Sequence, residues 1–214
     1  MLRNQEFSVS QSFNSSLPFT VAEIKTYLRV TGSSEDSLIS DIIFSACRYV
    51  ENYCSVMLLP GTVTEKYTKL PGTVSVPGAS YISTPGAFFW MNYYPYGFYS
   101  LSVGNVTAIT SIEANTYDAP TSWTALVNTS VLDAGHNRPR LYAPKGWDFG
   151  SITPYQIKIV YTAGYADTAS IPPDMKMAIR LIIADMYENR MDSVRQLPTA
   201  SEILLQNYCV MQGV

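Results

Sequence analysis

The residues of this chain that could carry chemistry are few and far apart. His136 is the sole histidine, in the stretch Asp133-Ala134-Gly135-His136-Asn137-Arg138-Pro139, whose composition is that of a turn. A zinc site or a Ser-His-Asp arrangement needs several ligands or partners converging, and one imidazole with scattered thiols offers none by spacing. Cys47, Cys54 and Cys209 are odd in number and lack CxxC spacing. Cys47 and Cys54 fall two turns apart on one predicted helix, roughly 10 Å by helix rise and too far to bridge, so three reduced and mostly buried thiols are expected. Glu35, Asp36 and Asp41 suit a helix N-terminus, where negative charge meets the positive end of the dipole. Leu70-Pro71-Gly72 and Pro85-Gly86 are isolated turns, because neither GxxxxGK nor GxGxxG spacing occurs. No catalytic, metal or cofactor site is expected, and the chain does not read as an enzyme.

Recognition is the chemistry that remains. Phe88, Phe89, Trp90, Tyr93, Tyr94, Tyr96, Phe98 and Tyr99 crowd one twelve-residue stretch with Pro95 and Gly97. A small domain cannot bury all of them, so Trp90, Tyr93, Tyr94, Tyr96 and Phe98 are expected to form an aromatic contact with a partner. The bland alternative is that half pack inside as strand residues while the rest shield a loop. A sugar-stacking platform is a third possibility, but it needs polar groups converging beside the rings, and Asn92 is the one amide nearby in sequence.

The elements that would position these residues follow from the period of the apolar positions. Residues 1–17 are polar, with scattered apolar points at Leu2, Phe7, Val9 and Phe13, and predict a flexible arm that orders only against a neighbour. Thr20-Val21-Ala22-Glu23 has capping-box spacing and opens a helix to about Leu28, with Thr31-Gly32-Ser33-Ser34 ending it and capping the next. A second helix from about Glu35 to Ser55 carries Leu38, Ile42, Ala46, Tyr49, Val50 and Tyr53 as its expected buried stripe. From Thr62 to Thr162 the period shortens to that of strands: Val63–Tyr67, Tyr99–Val103, Val106–Ile112, Ser122–Leu126, Arg140–Tyr142 and Gln156–Tyr161. Gly164, in Thr162-Ala163-Gly164-Tyr165, is placed to supply a backbone conformation that other residues avoid. Pro172 and Pro173 then open the surest helix, with Met175, Ala178, Ile179, Ile182, Ile183, Met186 and Tyr187 on one face. A polar connection ending at Pro198 leads to Thr199-Ala200-Ser201-Glu202, a second capping-box spacing, and a short helix with Ile203, Leu204, Leu205 and Tyr208. A helix this short needs a surface to dock on. It is expected to reach away from its own subunit, although it could instead fold back onto the Met175–Tyr187 helix.

The fold class expected is therefore α+β: a helical core of four helices, N- and C-terminal in sequence, with an inserted antiparallel β-domain. The divisions are an arm at 1–17, helical core at 18–61, β-domain at 62–162, helical core again at 163–192, and a tether with a short helix at 193–214. At 214 residues and 47% hydrophobic content the chain can bury a full core. Its net charge of −3 and 14% charged residues exclude the broad cationic face that coats duplex DNA. The N-terminus has no apolar run of signal length and no later stretch approaches a membrane span, so synthesis in a cytoplasm is expected.

The order of these pieces carries a resemblance. The capped helix TVAEIKTYLRV, the helix EDSLISDIIFSACRYVENYC, the β-insertion, the strand and turn IKIVYTAGY, and the helix IPPDMKMAIRLIIADMYENR together resemble head-tail connector, or adaptor, proteins of tailed bacteriophages over roughly residues 18–192. The most specific pieces are Tyr187-Glu188-Asn189-Arg190 after the YTAGY turn, and the opening helix with Ile24, Lys25, Leu28 and Arg29. Arg140-Leu141 and Gly146-Trp147 stand where similar proteins often carry such pairs. The resemblance implies a structural virion protein of the neck: a homo-oligomeric ring, usually of twelve copies, bound beneath the portal protein and offering a surface to tail or stopper proteins. DNA would pass through the channel without sequence-specific binding, and no cofactor or membrane is implied. In that setting Ile203, Leu204, Leu205 and Tyr208 would meet the portal. The stretch from about Thr73 to Ser100 is longer and more aromatic than similar proteins usually carry, and the N-terminal arm is extra. A carbohydrate- or receptor-binding virion module built on the aromatic β-domain is the competing reading.

Overall fold

The computed structural model describes residues 7–12, 16–67, 98–126, 130–133, 139–142, 154–189 and 199–210. Two compact units divide the chain: one comprises 1–11, 62–101 and 106–162, the other 12–61, 102–105 and 163–214. Together they give a mixed α and β fold.

The helical unit begins as the Thr20–Glu23 spacing requires. The Glu23 N–H donates to Thr20 Oγ1 at 3.2 Å and the Thr20 N–H donates to Glu23 Oε2 at 2.9 Å, so two orphan donors at the helix start are satisfied. These bonds hold the Glu23 carboxyl below its usual range. Helix α1 spans Val21–Leu28 and ends on Arg29 in the left-handed region, with Gly32 at φ +86° in the turn that follows. Helix α2 spans Asp36–Cys54. Its N-cap is Glu35 and no side chain caps it, so the expected role for Ser33 and Ser34 is not filled; the Asp36 N–H instead donates to the Ser33 carbonyl. Helix α3, Pro173–Glu188, opens with Pro172 as N-cap and Pro173 at the first helical position, where a missing N–H costs least. Helix α4 spans Thr199–Leu205.

The core of this unit joins Ile24 of α1, Ile39, Ile43, Ala46, Val50 and Cys54 of α2, Met175, Ala178, Ile179, Ile182 and Ile183 of α3, and Leu205 of α4. The face expected of α3 is the face found. The face expected of α2 is corrected in part: Ala46 and Val50 are buried as expected and Ile42 is half-buried, but Leu38, Tyr49 and Tyr53 are exposed, and Ile39, Ile43, Cys47 and Cys54 complete the buried stripe. One residue is about 100° of helix, and α2 is apolar at so many positions that periodicity alone did not choose between adjacent stripes.

The turn after α2 gathers remote segments. Ser55 takes a left-handed conformation at φ 53°. The Gly104 N–H donates to the Ser55 carbonyl at 2.8 Å and the Val210 N–H to the Cys54 carbonyl at 2.8 Å. Asn105 pairs with the Met57 backbone through both ends of its amide, Met57 N–H to Oδ1 at 3.2 Å and Nδ2 to the Met57 carbonyl at 2.7 Å. Gly164, at φ +124°, donates its N–H to the Asn105 carbonyl at 3.2 Å and lies against Leu59 and Pro60.

The other unit is built from strands. A five-stranded sheet runs in the order β1-β2-β8-β4-β5, from strands Phe7–Ser12, Gly61–Tyr67, Gln156–Ala163, Val106–Thr116 and Ala119–Ala125. A three-stranded sheet, β3-β7-β6, joins Phe98–Ser100, Arg140–Tyr142 and Val131–Asp133. Both β3 and β6 run antiparallel to β7, and β4 runs antiparallel to β5. Along β8 burial alternates strictly, with Ile157, Ile159, Tyr161 and Ala163 inside. The arm expected to be loose is corrected over residues 7–12, which form the edge strand β1. An open edge of β2 presents unpaired N–H and C=O groups that a polar chain can satisfy as well as an apolar one, so composition did not reveal it.

Candidate interaction surface

Among the described residues, no three of His, Cys, Asp and Glu come together in a metal-binding group, and no helix is long and apolar enough to cross a membrane. His136 lies outside the described residues. The titratable groups that are placed serve structure. Glu51, buried on α2, accepts from the Leu58 N–H at 2.8 Å and from Arg48 Nη1 at 2.6 Å. Burial pushes its carboxyl above the usual range, more than Leu58 and Arg48 draw it down. Burial likewise pushes the Cys47 thiol up to about 12, far from a reactive thiolate. In the β unit, Glu65 is fully buried and accepts from the hydroxyls of Tyr67 and Tyr161. Glu113 is desolvated too, but Lys158 at 2.5 Å and the Ser111 hydroxyl at 2.8 Å outweigh that and hold its carboxyl low.

The cysteines depart from expectation. Cys54 and Cys209 form a disulfide across 155 residues of sequence, and Cys47 is free and buried. Spacing could exclude a Cys47–Cys54 bridge; it carries no information on a pair that the fold brings together from opposite ends of the chain.

The C-terminal segment is also corrected. Over 199–210 it packs onto its own core instead of reaching away: Leu205 is fully buried, and the hydroxyl of buried Ser201 donates to the Ala178 carbonyl at 3.4 Å. Tyr208 and Tyr53 add hydroxyl bonds to Asp174 and Glu202 at 3.5 and 3.3 Å. The cause is that the short apolar face finds α3 and the end of α2 already beside it. Of the four residues expected to meet a partner there, Leu205 is inside, Leu204 and Tyr208 are half-buried, and Ile203 is 63% exposed. Of the aromatic set, Trp90, Tyr93, Tyr94 and Tyr96 lie outside the described residues. Phe98 opens β3 opposite Tyr142, and Tyr99 beside it is buried with its ring 4.8 Å from that of Tyr67.

What the sequence reading missed is a surface on the helical unit. Leu38, Tyr49 and Tyr53 stand 37–43% exposed along α2, with half-buried Ile42 between them and the Tyr49 and Tyr53 rings stacked 6.2 Å apart. Around the helix from these, Phe44 is 46% exposed with the Arg48 guanidinium 5.0 Å from its ring. The signal was present, since eleven of the 19 residues of α2 are apolar and one buried face needs fewer. An open groove along α1 is lined by Val21, Ala22, Lys25, Thr26, Arg29, Val30, Thr31 and Asp36, and Lys25 Nζ reaches Asp36 at 2.6 Å there. In the β unit, Lys66 and Lys158 both lie over the Trp123 ring, at 5.6 and 4.8 Å.

Apolar and aromatic residues are thus left exposed on a well-packed helical core. Residues 18–83 match the family described as Phage gp6-like head-tail connector protein. The fold is shared with a chain of the neck of an empty gene transfer agent (GTA) particle computed with C6 symmetry, at TM-score 0.70 and 19% identity over 96% of this chain and 97% of that one. It is shared also with the neck of a native GTA particle computed with C12 symmetry, at TM-score 0.65 and 16% identity over 96% and 97%. The virion of a native GTA particle holds a third such chain, at TM-score 0.61 and 20% identity over 95% and 97%. No curated protein matches the chain. The family model covers about a third of the chain, and the likeness to the neck chains, at 16–20% identity, is one of fold.

Proposed function

We propose that this chain forms a ring of twelve copies in the neck of a phage-like particle, seated beneath the portal protein and joining the DNA-filled head to the tail. The observation that carries the reading is the fold shared over 96% of the chain with a neck computed under twelvefold symmetry, with the connector-family match over 18–83 beside it. The work is structural and not enzymatic. A net charge of −3 suits a channel wall past which DNA slides, since a cationic wall would hold the phosphates. The aromatic stretch Trp90, Tyr93, Tyr94, Tyr96 and Phe98 is the contact toward tail or stopper proteins or a neighbouring subunit. On the portal side α4 offers Ile203, with half-buried Leu204 and Tyr208 at its edges.

The test is native mass spectrometry of the 23.7 kDa chain, alone and with the portal of the same particle. A closed species of about 284 kDa, twelve copies, either free or on the portal, is expected. A chain that remains monomeric in both conditions would sink the proposal.

A further inference from the structure

Helix α2 is apolar on more faces than its own subunit covers. Its core face is Ile39, Ile43, Ala46, Val50 and Cys54; beside it runs the second stripe of Leu38, Ile42, Tyr49 and Tyr53. A helix that is apolar nearly all round is one that ends up surrounded. Among the described residues part of that surround is missing, and what is left open includes two stacked tyrosines, a residue type that dominates binding energy at interfaces. The stripe has an acidic border: Asp41 is exposed on α2, and the Tyr53 hydroxyl donates to Glu202, also exposed. The groove along α1 is its counterpart in sign through exposed Arg29; Lys25 is already paired with Asp36, also in the lining, and Val21 and Val30 add apolar surface.

We propose that the Leu38–Tyr53 stripe of one copy packs into the α1 groove of the next copy, with Glu202 facing the neighbour's Arg29. The inference rests on the ring reading and supplies its contact. A rotational ring is closed by a heterologous interface, in which every copy presents two unlike and mutually complementary surfaces. The stripe and the groove are such a pair: one aromatic and acid-bordered, the other an open groove with the Arg29 cation beside apolar Val21 and Val30. The acidic border of the one matches the Arg29 of the other. Both belong to the helical unit, so the contact does not depend on the β unit.

The experiment places the photo-crosslinking residue benzoylphenylalanine at Tyr53 in the full-length chain. Light and heavy isotope copies are mixed before assembly, so that mass spectrometry separates crosslinks within a copy from those between copies. Mixed light–heavy crosslinks from position 53 to residues 21–31 are expected. In parallel, the exposed pair Tyr49→Ser and Tyr53→Ser together should leave the far-ultraviolet dichroism unchanged and raise the concentration at the assembly midpoint at least tenfold. Arg29→Glu and Glu202→Arg should each weaken assembly, and combining them should restore it. A ring that forms normally with crosslinks only inside one copy, to another part of the neighbour, or to a portal or tail protein overturns this inference and leaves the ring reading standing. A chain that stays monomeric with and without the portal overturns both.

Discussion

Gly164→Ala is a substitution of one methyl group whose cost can be worked from its surroundings. Gly164 sits at φ +124°, where an L side chain is strained by about 1–3 kcal/mol. A Cβ there would lie 2.4 Å from the Leu59 carbonyl oxygen, 2.6 Å from its carbon and 2.8 Å from Pro60 Cα. Those neighbours are backbone, so relief requires moving the turn after α2 or breaking the 3.2 Å bond from the Gly164 N–H to Asn105, which is worth about 1 kcal/mol. Alanine restricts the unfolded chain and returns about 0.4–1 kcal/mol. The expected net loss is about 1–4 kcal/mol, a sizeable part of a typical domain's stability of roughly 5–15 kcal/mol. Gly32→Ala is the matched control: Gly32 also has positive φ, at +86°, yet nothing lies within 4 Å of its Cβ position, so about 1 kcal/mol is expected. Urea unfolding followed by helical dichroism reads both variants in the same helical unit. If Gly164→Ala costs no more than Gly32→Ala, the close approach of that turn to Leu59 and Pro60 is wrong.

Reducing the Cys54–Cys209 disulfide, which closes 155 residues, should lower the melting temperature; the chain-entropy account sets the upper size at about 5 kcal/mol. Equal melting with and without reductant would remove the bridge's role. Glu51 has a raised carboxyl pKa, so the folded state holds its proton more tightly than the unfolded chain does; that contribution is full below the ordinary carboxylate value and is lost as pH rises through the raised one. Glu51→Gln should therefore gain stability relative to the parent as pH rises above the ordinary carboxylate value, and a difference that stays constant with pH would refute the assignment. Replacing Trp90, Tyr93 and Tyr94 together by Ser should leave the helices folded while weakening tail joining or ring formation. Particles assembled normally with all three substitutions would end the case for an aromatic contact.

Local signals in this sequence are legible and long-range ones are not. The Thr20–Glu23 box, the prolines at the start of α3 and the return of the helical period after Thr162 each depend on residues within a turn of one another, and each element stands where they put it. The face of α3 was legible because charge at Lys176, Arg180 and Asp185 marks its outer side. That of α2 was not, because apolar residues occupy adjacent stripes and no charge pattern chooses between them. Cys54 and Cys209, the fold-back of α4 and the edge strand at Phe7–Ser12 all depend on what a distant segment offers. The exposed part of the interaction surface was thus visible as apolar sequence while its exposure was not. Spacing reports period, and exposure depends on which neighbours arrive.

The turn where Ser55, Gly104, Asn105, Gly164 and Val210 meet also sets a schedule for synthesis. Helices α1 and α2 leave the ribosome early, but α3 begins at Pro173, well over a hundred residues after α2 ends at Cys54. At a translation rate of about 5–20 residues per second, α2 waits on the order of 6–24 s for its packing partner. During that interval the core face of α2 lacks the α3 residues that cover it in the folded chain. The β unit, contributed by the intervening stretch, has most of its strands in hand before α3 emerges. The order of genesis is therefore sheet first and helical layer last, so holdase chaperones should find their grip on residues 36–54 of the growing chain.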